Sequence, residues 1–228
     1  MIVKSSKLIL ITLIIFITNI ARPQDYSSVL HVKNLKQYLM ETHFNVDHKL
    51  VEIKKYIPGI VLDIRYATTS NFTHLRMYAQ SRAFARLLVV LGLKNVEDDL
   101  KTRGLGLKIY DAYRPYSVTV KFYKVTPDTN FVADPHKGSK HNRGCAIDLS
   151  VINLKTGKEL DMPTGFDSFS KKAASNYPDL PKQEIANREL LKTVMQQHGF
   201  KAIPTEWWHF DFIGWQNYSL LDISFQEI

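Results

Sequence analysis

Ser139-Lys140-His141-Asn142-Arg143-Gly144-Cys145-Ala146-Ile147-Asp148-Leu149-Ser150-Val151 is two structures joined at a glycine. From Ala146 to Asn153 the chain is apolar and β-branched and reads as a strand. His141 and Asp148 lie seven positions apart, an odd number, so one continuous strand would send their side chains to opposite faces. A break at Arg143-Gly144 removes the conflict. His141 then comes from a loop and Asp148 from the strand that follows.

Working outward, Lys155-Thr156-Gly157 turns this strand toward Glu159–Met162, which predicts a hairpin. Upstream, Val61–Thr68 (VLDIRYAT) alternates and reads as a strand. Ser81 to Lys101 predicts a helix with Ala83, Leu87, Leu88, Leu91, Val96 and Leu100 on its apolar face, stopped by Gly104 and Gly106. Leu107–Tyr110 is a further strand, leading into Asp111-Ala112-Tyr113-Arg114-Pro115. Ser117 is placed to cap a short helix carrying Val118, Val120 and Phe122. A loop covers Thr126–Gly138.

Downstream, Gln183–His198 predicts an amphipathic helix with Ala186, Leu190, Leu191, Val194 and Met195 on one face, closed by Gly199. A last strand, Trp207–Ile213, follows Pro204-Thr205-Glu206. Strands and helices interleave with hairpin signals. That predicts an α+β single domain: a central antiparallel sheet with flanking helices.

The 228 residues are 45% hydrophobic and 23% charged, which excludes a disordered or fibrous chain. One cysteine, Cys145, excludes an internal disulfide framework and a thiolate-rich metal cluster, and its small apolar context reads as a buried structural thiol. The net charge is +8, but Lys and Arg are spread along the chain rather than bunched, which points to a solvated basic surface and not to nucleic acid. Lys4 and Lys7 precede an apolar run, Leu8–Ile17, too short for a comfortable membrane span, and Ala21 offers a small residue for cleavage. Residues 1–21 therefore read as an export signal, with an uncleaved N-terminal membrane anchor as the alternative. Residues 22–50 form an N-terminal arm with one helix, and residues 51–228 carry the main domain.

A metal site here must use His, Asp and Glu. His141, Asp148 and His209, with Glu206 to spare, are the ligand set of a zinc with an open position for water. Glu206 and His209 are three apart, and Pro204 places the glutamate at the strand entrance with the histidine inside the strand. Either segment alone reads more readily as turn caps and core tryptophans. Both together, with the Asp-Ala-Tyr-Arg-Pro segment, point to a site. His31, His43, His48, His74, His136 and His198 are read as surface or helix-end residues.

YDAYRP (Tyr110–Pro115), SKHNRGCAIDLS (Ser139–Ser150) and EWWHF (Glu206–Phe210) resemble the zinc D-alanyl-D-alanine dipeptidases of the VanX type. YATTSNF (Tyr66–Phe72), PDTNFVADPHKGSKHNRG (Pro127–Gly144) and LDMPTGFDSF (Leu160–Phe169) extend the resemblance, which runs from about Val61 to Phe212. It implies one Zn²⁺ per chain held by His141, Asp148 and His209, and Glu206 as the general base. It implies that Arg114 stabilises the developing oxyanion, and that Tyr66, Ser139 and Asp167 shape the pocket for a small D,D-dipeptide, with Asp167 receiving its ammonium. Arg114 has a second reading, an ion pair with Asp111 or Asp63. Lys140 and Asn142 depart from the family's pattern at the pocket rim. Two further readings stand beside the dipeptidase: a D,D-carboxypeptidase on peptidoglycan stem peptides, and a non-catalytic zinc-stabilised binding module.

Overall fold

The computed structural model describes residues 27–127 and 132–228. The expected signal at residues 1–21 and part of the Thr126–Gly138 loop lie outside them. The chain opens with helix α1 (Leu35–Phe44), entered through a capping box in which Asn34 and Gln37 satisfy each other's backbone N–H groups. Strand β1 (Leu50–Glu52), the single-turn helix α2 (Ile53–Tyr56) and strand β2 (Val61–Leu62) follow. Next come β3 (Phe84–Arg86), helix α3 (Leu87–Lys101), β4 (Leu105–Asp111) and helix α4 (Tyr116–Val125). The chain closes with β5 (Ala146–Asn153), helix α5 (Lys182–Gln197), β6 (Phe200–Ala202) and β7 (His209–Phe212).

Five strands form one sheet in the order β2-β4-β5-β7-β6, and β1 pairs with β3 in a separate two-stranded ribbon. Four strands of the sheet run antiparallel to their neighbours, as expected, while the β2–β4 edge pair is parallel, so the sheet is mixed. β5 sits at the centre with all but its last residue buried. A register shift between Ile109 and Asp111 brings Asp111 opposite Asp148. Bulges of this kind re-aim side chains near functional sites.

Several expected elements are redrawn. The helix begins at Leu87, not Ser81, because Phe84–Arg86 is committed to β1 and because Arg86 N–H donates to Gly144 O at 3.0 Å. From there α3 buries Val89, Val90, Leu93, Val96 and Leu100 against the sheet, each such side chain contributing roughly 1.5–3 kcal/mol, whereas Leu88 and Leu91, expected on the apolar face, are exposed. Only Val61 and Leu62 of the expected VLDIRYAT strand pair; Asp63 N–H still reaches Ile109 O at 2.8 Å, and the chain then turns through Arg65–Ala67. The expected hairpin shrinks to one bridge, Ile152 to Glu159. Ser117 lies inside α4, and its backbone N–H and hydroxyl both donate to Asp222, at 3.0 and 2.7 Å, so the cap comes from the C-terminal segment.

The buried stripe of α5 also differs. Ala186 is exposed, while Asn187 and Arg188 are buried, donating to the carbonyls of Asp161 (2.9 Å) and Tyr177 (2.7 Å). The N-terminal arm is tied to the rest: Tyr38 is core, and the fully buried Arg86 donates to the carbonyls of His48, Arg143 and Ser219 with Glu41 3.5 Å away. Among the described residues no helix is long and apolar enough to cross a membrane.

Candidate active site

Gly144 adopts φ +68°, the left-handed conformation that ends the short turn His141–Arg143 and starts β5. This break, expected from the spacing, puts His141 and Asp148 on the same side of the sheet. β7 lies beside β5 with Asp148 directly opposite His209. Trp207 and Trp208 are buried and anchor the entry to β7, the former through its backbone N–H to Ala173 O at 2.8 Å.

Three ligand atoms converge. His141 Nε2 is 3.3 Å from His209 Nδ1, His209 Nδ1 is 3.0 Å from Asp148 Oδ1, and His141 Nε2 is 3.5 Å from Asp148 Oδ2. These separations match the edge of a tetrahedron with bonds of about 2.0–2.1 Å, roughly 3.3 Å. Proton placement agrees. His141 Nδ1 lies 2.7 Å from Ala112 O, which can only accept, so Nδ1 carries the hydrogen and Nε2 presents a lone pair. His209 Nε2 lies 2.9 Å from Asp211 Oδ1, which leaves its Nδ1 as the lone-pair atom. Asp148 Oδ1 is buried and makes no hydrogen bond. Lone pairs facing one another in a buried site are the arrangement a cation completes, so the residues fit a metal.

All eight expected residues line one cavity of about 480 Å³: Tyr66, Arg114, Ser139, His141, Asp148, Asp167, Glu206 and His209. Glu206 Oε2 is 3.8 Å from His209 Nδ1, beside the three ligands. Burial by the pocket walls pushes its carboxyl above the ordinary glutamate value, with the Asp148 charge adding to the effect.

Arg114 forms the expected ion pair, with Asp111, and also lines the cavity. Its Nε and Nη2 donate to Asp111 Oδ2 at 3.1 and 2.7 Å, and the same guanidinium lies 4.7 Å from the Phe122 ring centroid and 5.4 Å from that of Tyr66. Asp63 instead pairs with Arg65 and Lys108. At the other end, Tyr66 OH reaches Asp167, whose carboxyl is pushed up to about 8 by burial and then by the Asp148 charge. Ser139 Oγ accepts from Asn142 N–H at 3.2 Å, leaving its own hydrogen free for the pocket.

Asn142, read as a rim residue, is fully buried: its amide donates to Arg114 O and Thr119 Oγ1, both at 2.8 Å, and binds the Arg114 and His141 segments together. Asp211 was not singled out by its sequence context, although it stands two residues after His209 and so shares its face of β7. Cys145 is buried, its thiol pushed up to about 12 by burial, which matches a structural role.

Residues 46–226 match the family model described as Peptidase_M15, D-ala-D-ala dipeptidase. A relative named D-alanyl-D-alanine dipeptidase from Escherichia coli (strain K12) is 34% identical over 177 residues, covering 78% of this chain and 91% of its own. One of the same name from Enterococcus faecalis (strain ATCC 700802 / V583) is 28% identical, covering 71% of this chain and 90% of its own. Among solved structures, that of the LdcB LD-carboxypeptidase aligns with 59% of this chain and 61% of its own at 20% identity and a TM-score of 0.39. With a family match spanning the whole site and a relative above 30% identity, the chain belongs to the D-ala-D-ala dipeptidase family, Peptidase_M15.

Proposed function

We propose that this protein is an exported zinc dipeptidase that hydrolyses D-alanyl-D-alanine to two D-alanines. The observation that carries the reading is the meeting of His141, Asp148 and His209 beside Glu206, in a cavity that also holds Asp167 under the Tyr66 hydroxyl. The relatives' name supports the substrate.

His141 Nε2, Asp148 and His209 Nδ1 would hold the zinc, which when bound polarises a carbonyl and acidifies water. Glu206 takes the proton of the attacking water and returns it to the leaving nitrogen, a task suited to a carboxyl whose affinity for protons is raised by burial. Arg114, fixed by Asp111, faces the charge that develops on the carbonyl oxygen and needs no reorganisation to do so. Asp167 receives the substrate's ammonium, and Tyr66 orients Asp167. Ser139 offers its hydroxyl hydrogen to the dipeptide.

The test is D-alanine release from D-Ala-D-Ala by the chain after residue 21. A chelated sample, a zinc-restored sample and Glu206→Ala are run beside it. Activity that a chelator abolishes, zinc restores and the variant lacks supports the reading. Faster turnover of a pentapeptide stem than of the dipeptide would replace it with a carboxypeptidase. Zinc binding without either hydrolysis would leave a binding module. Export is a separate part of the proposal, resting on residues 1–21. Recovery of the protein from the cytosol with its first residue intact would remove it.

A further inference from the structure

The chemistry above gives Lys140 no part. In the structure its Nζ lies 2.6 Å from Asp211 Oδ2, and the other oxygen of that carboxylate is the one 2.9 Å from His209 Nε2. The three groups form a chain from the rim of the cavity to a ligand imidazole. Strand geometry explains how. Alternation puts His209 and Asp211 on one face of β7, and the partner opposite Asp211 on β5 is the small Ala146, which leaves room for the carboxylate. Asp211 is only 6% exposed, and the Lys140 ammonium stands over it, itself 5.3 Å from the Trp215 ring centroid.

We infer that Asp211, held by Lys140, is a positioning residue for the metal site. It keeps the hydrogen of His209 on Nε2, turns Nδ1 toward His141 and Asp148, and so sets the affinity of the site for zinc. The inference rests on the metal reading given above. The physical basis is general. An imidazole has two nitrogens, and a buried carboxylate bonded to one of them selects the other as the ligand and makes it a better donor. A carboxylate buried with no cation of its own would be costly to hold in that place, and Lys140 supplies the cation.

The experiment measures zinc affinity by competition with a chromophoric chelator, on the full chain and on variants whose fold is checked by circular dichroism and Tm. Asp211→Ala is expected to weaken zinc binding roughly 10- to 100-fold. Asp211→Asn, whose side-chain oxygen still accepts from Nε2, is expected to lose less, and Lys140→Met to show a smaller weakening of the same sign. Lys201→Met removes the cation opposite Asp211 in the β6–β7 register and is expected to leave the affinity unchanged.

In ¹⁵N-histidine spectra of the zinc-loaded chain, His209 is expected to bind through Nδ1, and Asp211→Ala to lose that single assignment. A folded Asp211→Ala that binds zinc within about twofold of the parent overturns the inference, as does coordination through Nε2 in the parent. Equal weakening in Lys201→Met would assign the effect to net charge and also overturn it. If the parent takes no zinc from the chelator, the metal reading itself fails, and that result is distinct from all of these.

Discussion

The Tyr66 hydroxyl lies 3.0 and 2.9 Å from the two carboxylate oxygens of Asp167, joining positions 101 residues apart across the mouth of the candidate site. Asp167 also holds φ +60°, a left-handed conformation that costs a non-glycine residue roughly 1–2 kcal/mol. A strained residue is thus held by a hydroxyl shared between its two carboxylate oxygens. Tyr66→Phe is expected to raise KM for the dipeptide several-fold with kcat little changed, since the proposed ammonium acceptor loses its support. Steady-state kinetics check it, and an unchanged KM would remove Tyr66 from the binding site.

The raised Asp167 carboxyl makes stability depend on pH in the metal-free chain. The folded state holds a proton at about 8 that an unfolded aspartate releases near 3.9. The stabilisation is therefore fully present below about pH 4 and is lost as pH rises to about 8. Asp167→Asn cannot ionise. Its Tm relative to the parent should be constant below pH 4, climb through this window and level off above it. Zinc should shrink the difference, because a cation offsets the Asp148 charge.

Glu206→Gln removes the proposed proton carrier and leaves His141, Asp148 and His209 in place. Turnover is expected to fall roughly 10²- to 10⁴-fold with bound zinc unchanged. Metal analysis alongside kcat checks both halves. Loss of the metal with the activity would make Glu206 a ligand instead.

Arg114 separates charge from geometry. Arg114→Lys keeps a cation but loses the two-point attachment to Asp111, and kcat should fall roughly 10²-fold or more while the fold persists. Arg114→Met leaves Asp111 buried without its partner and should cost about 3–5 kcal/mol in urea unfolding. Equal stability of the two variants would contradict this account.

Gly144→Ala tests the hinge between two ligands. A Cβ there would stand 2.6 Å from Leu50 Cδ2 and 3.3 Å from Arg86 N, on a backbone at φ +68°. The left-handed penalty of roughly 1–2 kcal/mol adds to the displacement of the buried Leu50 side chain, so both Tm and zinc affinity should fall. A drop in Tm with unchanged zinc affinity would show that the ligand geometry does not depend on this turn.

What the sequence by itself determined was which residues could form a site and their local geometry. The odd spacing of His141 and Asp148 with a glycine between them required a loop-to-strand break, and Pro204 before Glu206 required a strand entrance; both are local, because parity and backbone freedom are properties of neighbouring residues. Long periodic segments were legible for the same reason, as α3 and α5 show.

Tertiary structure decided the rest. Ser81–Arg86 looks helical in isolation, yet Phe84–Arg86 becomes strand because β1 and Gly144 take its backbone hydrogen bonds. The burial of Asn187 and Arg188 in place of Ala186 follows from distant carbonyls at Asp161 and Tyr177. Asp211 and the Ala112 carbonyl take one ring nitrogen each of His209 and His141 and leave the other facing the cavity, and Asn142 locks two site segments together. None of these partners announces itself in sequence, because a hydrogen-bond acceptor is defined by where the fold brings it. The residues that meet in the site are set by type and spacing, and their protonation and aim are set by what packs behind them.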